Sequence, residues 1–66
     1  MTPKQFENAG IKLFGKHGWK VRMSRVIGRD PSMIWRYATG QAPIPELVAF
    51  YVSVLVKESK DGRNKL

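Results

Sequence analysis

The chain of 66 residues has no cysteine, a single histidine, and only five acidic residues against twelve Lys and Arg. Without cysteine there is neither a disulfide framework nor a thiolate metal site, and a reducing setting is expected. His17 lies in a glycine-punctuated joint between Gly15 and Gly18 with no acid or cysteine beside it, so it offers neither a metal site nor a catalytic triad. Glu7, Asp30, Glu46, Glu58 and Asp61 show no paired-carboxylate spacing on one element. A phosphate-cradling glycine loop and a dinucleotide fingerprint are both missing. The expectation is therefore no enzyme, no metal, no cofactor and no small-molecule substrate. Long apolar runs are scarce as well. The longest uncharged one, Leu47 to Val56, is far short of the ~20 residues that cross a bilayer, and no charged, apolar, small-residue pattern of a signal peptide opens the chain. No membrane partner and a cytoplasmic location are expected.

What is present is positive charge, unevenly placed. The formal net charge is +7, and between residues 12 and 36 the cations Lys12, Lys16, Lys20, Arg22, Arg25, Arg29 and Arg36 are accompanied by one acid, Asp30. Like charges three or four apart on a helix repel by a few tenths of a kcal/mol per pair, so this placement is slightly unfavourable for folding. Solubility alone does not require it, whereas a polyanionic partner does.

Helical signals dominate the first forty residues. Thr2-Pro3-Lys4-Gln5 reads as a helix start, with Thr2 as N-cap, Pro3 at the first helical position and Gln5 closing a capping box. Phe6, Ala9, Gly10, Leu13 and Phe14 recur with helical spacing and form the buried face of this first helix. A second, short helix runs from Trp19 to Ile27, with Met23, Val26 and Ile27 inward and Gly28 closing it. Asp30 as N-cap and Pro31 in the first turn open a third. Its inward residues are Ile34, Tyr37 and Ala38, which turns Ser32, Trp35, Arg36 and Thr39 outward, and Gly40 ends it. Two helices joined this tightly must cross steeply.

Gln41-Ala42-Pro43-Ile44-Pro45 is a stiff connector whose last proline opens the final segment, Glu46 to about Lys57. That segment is apolar along one stripe, Leu47, Val48, Tyr51, Val54 and Leu55, and also on the opposite side, Ala49, Phe50, Val52 and Val56. So small a domain covers one face by itself, so the second asks for a partner. The β-branched and aromatic content also permits a strand over 48–56, with the proline-led start favouring helix. Residues 58–66 read as a charged, solvated tail. One all-α domain of four or five helices over 1–57 is the expected architecture. Domains this small gain only about 3 to 5 kcal/mol from one core, and with disulfides excluded a second subunit is the remaining stabiliser.

Residues 20–39, KVRMSRVIGRDPSMIWRYAT, resemble the helix-turn-helix unit of the phage Cro and repressor family. The likeness rests on Met23, small Ser24, Ile27, turn glycine Gly28, Ile34 and Tyr37, and on the phrases Asp30-Pro31-Ser32, Trp35-Arg36-Tyr37-Ala38-Thr39-Gly40 and Pro43-Ile44-Pro45. Arg29 departs from it, standing where an apolar residue is usual, and Ser24 stands where alanine is commoner. The resemblance implies a third helix lying in the DNA major groove. By position, Ser32, Met33, Trp35 and Arg36 would meet bases. Lys20, Arg22, Arg25, Arg29, Thr39 and Gln41 would meet phosphates.

It further implies a homodimeric transcriptional repressor at an inverted-repeat operator in double-stranded DNA, in a bacterial or phage-infected cell, regulating a phage or mobile-element operon. The candidate dimer residues are Ala49, Phe50, Val52 and Val56. Three alternatives stand beside this reading: an RNA binder using the same basic and aromatic face, a protein-docking adaptor using the last segment, and a membrane-surface peptide.

Overall fold

The computed structural model describes the backbone of residues 1–65 and the side chains of residues 1–58. Four α-helices make up the described chain: α1 (Pro3–Phe14), α2 (Trp19–Ile27), α3 (Pro31–Thr39) and α4 (Glu46–Lys65). No strand occurs among the described residues, so the helical reading of residues 48–56 holds. The backbone of α4 continues to Lys65, beyond the Lys57 end expected for it. The side chains of the expected tail fall, apart from Glu58, outside the described residues.

The opening of α1 follows its sequence in detail. The Gln5 N–H donates to Thr2 Oγ1 at 3.1 Å, and the Thr2 N–H donates back to Gln5 Oε1 at 2.9 Å. Both halves of the capping box are thus made, satisfying two donors the first turn would otherwise leave orphaned. At the far end the Gly15 N–H closes on the Ile11 carbonyl at 2.8 Å.

Helix α1 is the hub, packing against α2, α3 and α4, while α2 and α3 pack on each other. Phe6 is the reason. It is completely buried, with the ring of Trp19 edge-on at 6.0 Å between centroids and that of Tyr37 at 5.7 Å. Such T-shaped pairs add about 0.5–1.5 kcal/mol to the burial itself. One aromatic from each of the first three helices therefore meets at a single point. Met23, Ile34, Val48 and Val52 complete the buried core.

Gly10, one turn along α1 from Phe6, makes room for this arrangement. A Cβ built there would fall inside the Trp19 indole, so α2 approaches α1 as closely as it does because position 10 has no side chain. Trp19 was not among the expected core residues, yet it is 3% exposed. In α2 the buried line is Trp19, Met23 and Ser24. Val26, expected inward, is 38% exposed instead. The small Ser24 takes the inner place, its hydroxyl donating to the Val21 carbonyl at 2.6 Å, so this buried hydroxyl is not left unpaired.

Helix α4 required tertiary information. Val48 and Val52, one turn apart, are 4% and 0% exposed, with Leu55 and Val56 half-buried beside them. Leu47, Phe50 and Tyr51 point outward, and Val54, on the same stripe, is half-buried. The two stripes expected for this helix are thereby corrected. Val52 belongs to the chain's own core, Ala49 and Val56 are half-buried, and of the four candidate dimer residues Phe50 alone is freely exposed. A helix that is apolar on every side contains no preference for which side faces in. Here the seat beneath α4 makes that choice.

Candidate nucleic-acid interface

Three residues, Gly28, Arg29 and Asp30, separate α2 from α3. Gly28 has φ 80° and ψ 31°, a left-handed conformation that costs a residue with a Cβ roughly 1–2 kcal/mol. The Gly28 and Arg29 N–H groups both donate to the Ser24 carbonyl, at 2.9 and 3.0 Å, which ends α2 abruptly and turns the chain into α3. Gly40 repeats the device after α3, with the Gln41 N–H donating to the Arg36 carbonyl at 2.9 Å. Helix α3 is thus a nine-residue rod held at both ends by short, defined turns.

Its two faces separate cleanly. Ile34 and Tyr37 are buried, and Met33 and Ala38 are half-buried against the core. Ser32, Trp35, Arg36 and Thr39 are all exposed. These four lie within about 100° of the helix circumference at 100° per residue, so they form one continuous strip. Trp35, at 46% exposure, is a large aromatic that the fold does not use for its own core. Met33, expected at the edge of the strip, lies mostly on the core side.

Several groups in and beside this strip are already engaged. The Ser32 hydroxyl donates to Asp30 Oδ2 at 3.2 Å. Asp30 has the extended backbone of an N-cap and its carbonyl accepts from Met33 and Ile34, but its carboxylate caps no backbone N–H, contrary to expectation. Pro31 contributes no donor, and the Met33 N–H is taken by the Asp30 carbonyl. The Thr39 hydroxyl donates back to the Trp35 carbonyl at 2.9 Å, so it meets a phosphate only by giving up that bond. Gln41 is exposed just beyond α3.

The cations of α1, α2 and α3 have little to neutralise them. Among the described residues the one ion pair is Lys4–Glu7, 3.8 Å long and on the surface of α1. Lys12, Lys16, Arg22, Arg25, Arg29 and Arg36 are exposed and make no ion pair there. Lys12, Arg25 and Arg36 lie in the last turns of α1, α2 and α3, where they also complement the helix dipoles by about 0.3–1 kcal/mol each. Lys20 is different. It is half-buried, its Nζ 5.1 Å from the centroid of the Trp19 ring, within reach of a cation–π contact. Nothing local in the sequence links Gly10 to Trp19, since that link runs between helices.

Among the described residues no three His, Cys, Asp or Glu side chains lie together as a metal site, and no helix is long and apolar enough to cross a membrane. What the arrangement offers chemically is a polar strip with one bare indole and one guanidinium, on a rod that belongs to a strongly basic chain. Comparison with known proteins finds no matching family model, no matching curated protein and no matching solved structure.

Proposed function

We propose that this protein is a sequence-specific double-stranded DNA-binding regulator of the helix-turn-helix type, working as a homodimeric repressor on an inverted repeat, with α3 in the major groove. One observation carries the reading. The exposed strip Ser32–Trp35–Arg36–Thr39 lies on a short helix separated from α2 by three residues, in a chain whose cations, Lys4 apart, make no ion pair among the described residues. An α-helix fits the major groove, and unpaired Lys and Arg supply the counterion-releasing contacts that dominate affinity.

In this reading Arg36 bonds both acceptors of a guanine edge, worth about 1–3 kcal/mol of discrimination, and Trp35 packs on thymine methyls or sugars. Lys20, Arg22, Arg25 and Arg29 hold phosphates, with Gln41 at the far end of the strip. Two subunits would set their α3 helices about one DNA turn, ~34 Å, apart. Occupancy of such a site follows protein concentration, which suits a protein that shuts off its own operon.

Selection from a pool of random duplexes near physiological salt tests this. The expected result is an enriched inverted repeat, with one base position per half-site relaxed by Arg36→Ala. Retention that falls steeply with salt, enriches nothing and ignores Arg36 would refute base reading. The exposed Trp35 gives a second reading some footing, because indoles also stack on unpaired RNA bases. Competition by single-stranded RNA that displaces every duplex would favour it.

A further inference from the structure

The outward side of α4 and the end of α2 enclose a groove of ≈ 310 Å³, lined by Val26, Ile27, Arg29, Leu47, Val48 and Tyr51. Its volume is at the low end of the ~300–1,000 Å³ typical of ligand sites, and apart from Arg29 its lining has no charge. Next to it on α4, Phe50 stands 70% exposed and Leu47 83% exposed. A hollow and a bulky exposed aromatic therefore flank Leu47 on its two sides. We propose that the occupant of this groove is Phe50 of a second copy of the chain, inserted reciprocally about a two-fold axis, so that the dimer interface joins α4 to the end of α2.

Three features favour a second copy. A two-fold contact needs a surface complementary to itself, which a knob beside a hole provides. Electrostatics points the same way. A chain of net charge +7 pairs with itself only across its least charged surface, and residues 46–56 contain no Lys or Arg and a single acid, Glu46. Finally, a core of this size, without disulfides, leaves association as the stabiliser.

The consequence reaches α3. Val26, Ile27 and Arg29 lie at the end of α2 and in the Gly28-Arg29-Asp30 turn, so filling the groove braces the turn that aims α3. Dimerisation then does more than double the number of DNA contacts; it holds each reading helix in place. This coupling rests on the proposed DNA-binding function, whereas the interface itself does not.

Sedimentation velocity of the full chain without DNA, over a concentration series, tests the interface. Phe50→Glu and Val26→Glu are both expected to weaken the dimer at least about thirtyfold, as truncation of a central anchor does. Val21→Glu serves as a control, since Val21 is an equally exposed α2 residue outside the groove, and is expected to change nothing. All three positions are exposed, and thermal melts of the three variants check folding. A wild-type chain that stays monomeric throughout, or a dimer broken by Phe50→Glu and untouched by Val26→Glu, overturns the proposal. Neither outcome depends on DNA, so duplex selection judges the function separately.

Discussion

Helices α3 and α4 both expose bulky apolar side chains, and the company those side chains keep is different. On α3, Trp35 is surrounded by Ser32, Arg36 and Thr39. On α4, Leu47, Phe50 and Tyr51 stand together, with no cation anywhere from residue 46 to 56. An indole among a hydroxyl and a guanidinium suits a surface that is itself polar, such as base edges and sugars. A bare aliphatic and aromatic cluster suits another apolar surface, and burying it releases about 25 cal/mol for each Å² removed from water. The same kind of exposed residue thus points to two kinds of partner.

Both faces rest on Phe6, so the comparison breaks first there. Phe6→Ala removes the ring that Trp19 and Tyr37 meet edge-on and should cost about 3–5 kcal/mol, as much as a core this small supplies. Urea titration should show no folded baseline. Gly10→Ala is next. Its methyl group has nowhere to go except into the Trp19 indole, and the expected loss is about 1–3 kcal/mol, seen as a lowered denaturation midpoint with unchanged m-value.

Substitutions on the faces themselves sharpen the contrast. Arg36→Ala should leave the melting temperature nearly unchanged while flattening discrimination at one base position by about 1–3 kcal/mol, measured as relative affinities for operator and single-mismatch duplexes. Phe50→Ser should have the smallest effect on the isolated subunit, within about 0.5 kcal/mol, read by denaturation at a concentration low enough to keep the chain monomeric. A large loss there would mean that Phe50 is packed in the chain's own core, and the contrast between the faces would fall.

How legible each face was in the sequence follows from its pattern. In α3 polar and apolar residues alternate with helical period, so Ile34 and Tyr37 inward and Trp35 and Arg36 outward follow from the residues alone. The capping box of α1 and the glycines after α2 and α3 were equally local signals. In α4 every side is apolar, and the inward choice of Val48 and Val52 is set by packing against α1, which no periodicity records. Trp19 was hidden only in part, for a related reason. Its spacing of four from Met23 was a local sign of the buried line, but its partner Gly10 is identified only once the helices are packed. The side-chain bonds of Ser32 and Thr39 were likewise invisible, because both hydroxyls had several acceptors within reach.

Gly10 and Trp19 have an inheritance consequence. Because one is a socket and the other the plug that fills it, the two positions should vary together in any lineage of this fold: a side chain gained at 10 calls for a smaller residue at 19. Lys20 is carried on the plug, its ammonium over the same indole. A change at the most interior glycine of α1 therefore alters where a surface charge is held, and selection on that charge would be felt as constancy at a position that never touches solvent or ligand.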